Sequence, residues 1–500
     1  MKKITFIIGI LCAFGSAKAQ SIFDAMRYSH TNYTANARAM AIGGAFGALG
    51  GNSLSSSINP AGIAFHPTSE FTASLAYLNG NTSTQYGFEN TEDAKYALNI
   101  PNLSYTYSEF ETDFGKPVKE GWINHSFTMN LNRSNSFGRN MLLNGEGISH
   151  GMVNHFAEDA TKTWNDGYPL DSSTFGGLAY FGYLIDPTYD SDSNVIGFIP
   201  SVMDVDDTKY NQLQSLASRG NITDMNFGWA GNYSNKFYVG INMGLPMLNY
   251  REQGSYIENN LYDGDDNYNA MELKHTLKDN GIGINVSAGL IYRPVKFLRL
   301  GIAAKTPTFF SITRTYEVSL TTDTDVKGIM EIEPSKSETE YRLITPYQFT
   351  LSAAAILFKR GFVSIDYMVS DPSSTRLRGP GLNGGAQYFT QNRKIQQELM
   401  GTNQLRLGAE WTIGPLALRG GYSTTSTPFA SNIDPYGPSG LTSYSGGIGF
   451  RDEGFFVDLG FQTTESTDYF TPYYLNDGSN IMAKNNNLSA TVMATVGFTF

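Results

Sequence analysis

From Leu488 to Phe500 every even position is apolar: Leu488, Ala490, Val492, Ala494, Val496, Phe498 and Phe500. The odd positions, Ser489, Thr491, Met493, Thr495, Gly497 and Thr499, are small, polar or adaptable. A period of two sustained over this length makes a strand with one apolar and one wet face. The sequence stops on that strand, with an aromatic residue as its last. Such a face at the end of a long acidic chain must meet either a core or lipid, and the rest of the sequence points to lipid.

At the other end Lys2 and Lys3 precede an apolar run from Ile4 to Phe14, followed by Ala17-Lys18-Ala19. That order predicts a secretory signal over residues 1–19, and the run is too short to span a bilayer. Cys12 lies inside it and is the only cysteine. A processed chain would carry no thiol, so its stability in an oxidising compartment must come from something other than disulfides. Full pairing of the backbone in a closed barrel supplies that. Removing residues 1–19 leaves 32 basic against 46 acidic residues, a net charge of −14. This argues against a nucleic-acid partner, which needs a basic face. No later stretch approaches the ~18 uninterrupted apolar residues of a membrane helix, and open strand edges cannot be satisfied in lipid. The expected fold is therefore all-β: a transmembrane antiparallel β-barrel.

The same alternation recurs along the chain. Ile282, Ile284, Val286, Ala288 and Leu290 interleave with Gly283, Asn285, Ser287 and Gly289; Leu405, Leu407, Ala409, Trp411 and Ile413 interleave with Gln404, Arg406, Gly408, Glu410 and Thr412. The pattern predicts strands near 71–78, 98–108, 122–132, 221–233, 236–246, 280–292, 296–306, 340–356, 360–369, 403–413, 415–424, 441–451, 454–464 and 488–500. That is about fourteen, an even number as single-chain bacterial barrels require. Short joints (Ser234-Asn235, Arg293-Pro294-Val295, Lys359, Gly414, Asp452-Glu453) alternate with long polar segments at 247–279, 307–339, 370–402, 425–440 and 465–487, as periplasmic turns alternate with outer loops. The joint 109–121 should be short by parity and is not. The longest loop, 133–220, is expected to carry a helix around Met141–Thr163. With the aliphatic positions facing lipid, Arg299, Lys305, Asp366, Arg406, Glu410, Arg419 and Asp458 all point inward.

Residues 36–66 are rich in Gly, Ala and Ser and lack a period of two. They do not follow a strand or end in Lys-Ser/Thr, as a phosphate loop would, and Gly51-Asn52 ends the apolar run too early for a membrane span. A compact plug, small residues packing backbone tightly inside a lumen, fits best. Here Ala37-Arg38-Ala39, Gly44-Ala45 and Asn59-Pro60-Ala61 in front of the first strand resemble the amino-terminal hatch of the FadL/TodX family of outer-membrane channels for long-chain fatty acids and aromatic hydrocarbons. Tyr292–Ala304, Leu405–Tyr422 and the aromatic last strand are also similar, so the resemblance covers nearly the whole chain apart from the outer loops. It implies a monomeric fourteen-stranded barrel (69–500) in the Gram-negative outer membrane, among lipid and lipopolysaccharide. Inside would sit a hatch (20–68) gated by Arg38, Gly44, Asn59, Pro60 and Ala61. The implied function is passive uptake of hydrophobic or amphipathic molecules such as fatty acids, without a cofactor. Some such proteins are labelled haemin receptors, which is the alternative, followed by a general porin or a structural or adhesive barrel. The family opens its wall sideways at a kink in the third strand, and Trp122–Asn132 holds neither Gly nor Pro; the nearest break is Pro101.

Arg406 and Arg419, inward on adjacent strands, are the candidate contacts for a ligand carboxylate, since guanidinium binds one bidentately; Glu410 is the group that could neutralise them. Asp263-Gly-Asp265-Asp-Asn267 starts like a calcium loop, but Tyr268 stands where Gly is required and Lys274 where the closing Glu should be. The acidic run Asp186, Asp190, Asp192, Asp204, Asp206 and Asp207 reads as solvated loop. His150 and His155 have no helical metal spacing. His125 falls on the lipid face, away from any serine and carboxylate facing the lumen, so an enzyme is not expected.

Overall fold

The alternating carboxyl-terminal segment is a strand, Ala483–Thr499, paired antiparallel with Phe455–Phe470 on one side and with Glu70–Tyr86 on the other. Pairing of the last strand with the first closes the sheet. The computed structural model describes residues 22–31, 35–201, 209–261, 268–381, 386–430 and 439–500. The expected signal segment with Cys12, the start of the calcium-like loop (263–267) and Asp204, Asp206 and Asp207 lie outside them.

Among the described residues fourteen strands make the closed antiparallel barrel. In chain order they are β1 Glu70–Tyr86, β2 Glu89–Phe110, β3 Trp122–Ser136, β4 Tyr210–Tyr233, β5 Phe237–Asn260, β6 Ala270–Val295, β7 Leu298–Lys305, β8 Gly328–Ile344, β9 Gly361–Ser370, β10 Thr402–Ile413, β11 Leu416–Thr425, β12 Leu441–Asp452, β13 Phe455–Phe470 and β14 Ala483–Thr499. Four are interrupted. β3 resumes at Arg139–Ile148, β7 at Phe309–Thr324, β8 at Gln348–Leu357 and β9 at Arg376–Arg378. In β7 and β8 the breaks hold Pro307 and Pro346, which have no N–H to give a ladder.

The faces fall as the alternation requires. Ile448 and Leu459 stand half-exposed toward lipid, while Arg406 and Asp458 are 2% exposed inside. The short turns meet at one end. At Ser234-Asn235 and Phe358-Lys359 both residues have positive φ, the backbone a two-residue hairpin needs. Trp122, Tyr233, Phe237, Tyr292, Trp411 and Phe455 are exposed around that end, forming the aromatic girdle of a membrane interface.

The strands are longer than their apolar alternation. β5 and β6 run through much of 247–279, and β7 and β8 through most of 307–339. Above the lipid the outer face is wet, so these extensions carry Arg251, Gln253 and Lys278 and lose the period-two hydropathy signal. The helix expected around Met141–Thr163 starts only at Met152; before it the chain is still the strand Arg139–Ile148. The odd joint 109–121 carries a small hairpin, Thr112–Asp113 against Lys116–Pro117.

Phe500 and Ser69 exchange two backbone hydrogen bonds of 3.1 Å, and the Phe500 ring stacks on Tyr105 with centroids 6.1 Å apart. Two hydrogen bonds at a net ~0.5–1.5 kcal/mol each are little beside the whole ladder. Deleting Phe500 should therefore cut the yield of heat-modifiable barrel on gels several-fold while leaving the melting of the assembled fraction nearly unchanged. Full yield would show that the terminal aromatic plays no part in assembly.

Candidate functional site

The lumen is filled by the amino-terminal segment. α1 (Ile22–Ser29) stands high in the barrel; α2 (Ala37–Ala41), α3 (Ser55–Ile58) and a 3-10 turn (Pro60–Phe65) form the hatch below it. Asn36 caps α2 by accepting from the Ala39 N–H at 2.9 Å, and Gly43, at φ 64°, turns the chain so that the N–H of Gly44 reaches the Ala39 carbonyl after the helix ends, a left-handed stop that favours glycine. Asn59-Pro60-Ala61 has a double role. The Asn59 side chain accepts from the Ala61 N–H at 3.2 Å, with Pro60 preset at the first turn position. Its Nδ2 donates to the Gly47 carbonyl at 2.7 Å and to Ile302 of the wall at 3.3 Å. One side chain thus joins two hatch segments to the barrel.

The wall makes room for this with glycines. An added Cβ would sit 2.6 Å from Ile63 at Gly228, 2.4 Å from Pro60 at Gly240, 1.9 Å from Asn59 at Gly289 and 2.6 Å from Gly47 at Gly301. On the other side it would meet Ile42 at 2.6 Å from Gly408, Gly43 at 2.2 Å from Gly421, Ala41 at 2.6 Å from Gly447 and Ala37 at 2.7 Å from Gly460. These eight belong to eight different strands, and Gly240–Gly289, Gly408–Gly421 and Gly447–Gly460 are direct cross-strand partners. At these eight wall positions there is no room for a side chain against the hatch. On β3 the contact is polar instead: Asn130 donates to Ser56 Oγ at 2.8 Å and Asn132 to Ser57 Oγ at 3.1 Å.

Charged residues lock the same level. Arg38 forks onto Glu410, Nε to Oε2 at 2.9 Å and Nη2 to Oε1 at 3.0 Å. Arg419 donates to Glu410 and to Asp458, both at 2.6 Å. Asp366 accepts from the Gly47 N–H at 2.9 Å and faces Arg406 at 3.6 Å. Arg299 reaches the Leu49 carbonyl and lies 4.2 Å over the Phe65 ring. Of the inward charges read from sequence, six thus meet the hatch or one another at this level, while Lys305 stands apart, facing Asp224 at 3.9 Å. Arg406 and Arg419 have carboxylates of the barrel itself as partners, Glu410 among them.

Above the hatch α1 packs into an apolar chamber formed by Phe137, Ile222, Leu248, Phe310, Leu343 and Ile395, among others. Between the end of α1 and the wall lies a small cavity of about 20 Å³, lined in part by Ser134, Asp224, Asn285, Lys305, Thr308 and Pro346. Higher still, α4 (Met152–Asn165) and α5 (Phe175–Phe181) of the long loop cover the mouth. Glu258, near the outer tip of β5, accepts from the Met152 N–H at 2.7 Å, Tyr256 Oη at 2.6 Å and Tyr268 Oη at 3.1 Å. It pins the first turn of α4, where a carboxylate is favoured by the exposed N–H groups, although burial pushes its carboxyl up.

The β2–β3 ladder runs only from Phe110–Asn124 to Asn102–Asn132. Beyond Asn102, β2 pairs with β1 alone, and β3 shifts register against β4 between Arg133 and Asn135. The interruption therefore sits at the third strand, carried by a bulge at Ser134 and by the break at Phe137-Gly138 before the strand resumes. Pro101 lies at the first unpaired rung. A bulge needs no special residue type in the bulged strand, so sequence gave no sign of it.

No family model matches the chain, and no curated protein matches it in sequence. Among solved structures it is similar to the Pseudomonas putida toluene transporter TodX, at 12% identity and TM-score 0.53, covering 93% of this chain and 98% of that one. It is also similar to a Pseudomonas aeruginosa FadL homologue, at 10% identity and TM-score 0.54, covering 94% of this chain and all of the other. The fold is that of the FadL/TodX-type channels. A closed fourteen-stranded barrel with an apolar outer face is an outer-membrane protein.

Proposed function

We propose that the barrel is a passive channel for hydrophobic or amphipathic small molecules, of the class of long-chain fatty acids and aromatic hydrocarbons. One observation carries this reading: the lumen is closed by a close-fitting hatch at one level and holds an apolar chamber directly above it. A water-filled porin has neither, and small-molecule sites are mainly apolar with a few fixed polar groups. The similar structures, a toluene transporter and a FadL homologue, support the same class. Arg38, Gly44, Asn59, Pro60 and Ala61 then form the gate, with Arg406 and Arg419 seating it from the wall. Ligand leaves the chamber sideways at the seam between β2 and β3, into surrounding lipid, without the hatch leaving the barrel. A single chain suffices, because each end of the closed sheet is already paired.

Cells expressing the chain should take up labelled oleate or toluene faster than control cells, while vesicles containing it swell little in small sugars. Swelling like that of an open porin, or uptake no faster than the control for both compounds, would overturn the proposal.

A further inference from the structure

α1 offers the barrel wall a carboxylate on an apolar body. Asp24 Oδ2 accepts from Arg314 Nη1 at 3.0 Å, and both side chains are nearly fully buried. Next to it Ala25 and Tyr28, 1% and 3% exposed, pack against Phe137, Ile222, Leu277, Phe310 and Ile312 of the wall. Arg314 turns its other face to Asp279, Nε to Oδ1 at 2.8 Å and Nη2 to Oδ2 at 2.6 Å. The Tyr341 and Tyr28 hydroxyls also donate to Asp279, at 3.2 and 2.6 Å. The remaining charges at this level are Arg27, on Asp24 at 3.0 Å and facing Glu252 at 3.8 Å, and His275, 3.6 Å from Glu252. Without α1 the wall would keep the Arg314–Asp279 pair and an apolar chamber, with one guanidinium arm directed into it.

We infer that α1 is a tethered occupant of the ligand chamber, and that the chamber takes amphipathic carboxylates, which displace α1 and place their head group on Arg314. This rests on the channel reading and adds to it the site and the head-group chemistry. An N–H donor of a buried guanidinium left unmade is costly, so the arm must be met by Asp24 or by a ligand acid. The apolar flank of α1 and an alkyl chain bury against the same side chains. The two occupants are therefore mutually exclusive. A site held by a competitor shows an affinity reduced by the fraction of time it is free. An occupancy of ~90–99% by α1 would weaken ligand about 10- to 100-fold.

Binding to the purified, detergent-solubilised protein decides it, with oleate and methyl oleate as probes. Deleting residues 22–31 should tighten both about tenfold or more. Asp24→Asn, which keeps the helix and removes the charge, should tighten oleate by a smaller factor. In the deletion background Arg314→Gln should weaken oleate and leave methyl oleate unchanged. That variant strands Asp279 and could fail to fold, so Arg314→Lys is made beside it. It keeps the charge but cannot fork onto Asp279 while reaching the chamber, and should weaken oleate by less. Heat-modifiable migration verifies each barrel. Unchanged oleate affinity on deletion, equal weakening of both probes by the Arg314 variants, or no oleate binding by any folded variant would each overturn the inference. Uptake of toluene by cells is read separately, so the channel reading can stand while this one falls.

Discussion

Gly240→Leu should turn a closed barrel into a conducting one. The new Cβ would lie 2.4 Å from the Pro60 carbonyl carbon and 2.5 Å from the Ala61 nitrogen. These are backbone atoms of a capped turn, unable to rotate away as a side chain could, so the hatch must move as a unit. The strand ladder at Gly240 is untouched, and the barrel should still run as a heat-modifiable band. Single-channel recordings in planar bilayers should show conductance raised at least several-fold, toward that of a barrel lacking residues 20–66. Gly420→Leu is the control. Its Cβ would meet nothing within 4 Å, and its conductance should equal that of the unaltered protein. If Gly240→Leu also stays closed, the lumen is sealed by something other than the hatch.

The same glycines mark how much the sequence disclosed. Strand positions, barrel closure and the inward set of charges were legible because lipid on one side and a hydrated lumen on the other impose a period of two. Gly240, Gly289, Gly408 and Gly460 stood on the wet face of segments read correctly as strands, and their recurrence at one level was a signal of close backbone approach. It went unread because the level of a residue depends on register, which alternation does not fix between distant strands. Polar strand extensions such as 250–260 read as loops, since outside the membrane their outer face no longer needs to be apolar. The Ser134 bulge carried no composition signal. Arg314 and Asp24 lie 290 residues apart, and no local pattern ties a helix before the hatch to a strand extension in the upper wall. Arg406 and Arg419 drew attention because they alternate cleanly; their carboxylate partners Asp366 and Asp458 were in the same inward set.

Glu410→Gln should loosen the hatch as strongly as any single polar change can. Glu410 takes Arg38 from the hatch and Arg419 from the neighbouring strand, with all three largely shielded from water. Removing one partner of a buried ion pair costs about 3–5 kcal/mol, most of it from the charge left behind. Here both arginines would lose their shared carboxylate, and Asp458 already binds Arg419 at 2.6 Å. The barrel ladder does not depend on Arg38, so the cost falls on the seating of the hatch. Bilayer recordings should show frequent openings where the unaltered protein stays closed. Arg38→Met combined with Glu410→Met tests the cause. It removes one charge of each sign, leaves the Arg419–Asp458 pair, and replaces the fork by apolar contact with Phe46 and Phe362, whose rings lie 5.5 and 6.0 Å from the Arg38 guanidinium. A double variant quieter than Glu410→Gln would assign the loosening to stranded charge. A double variant equally noisy would mean that the fork holds the hatch by its geometry.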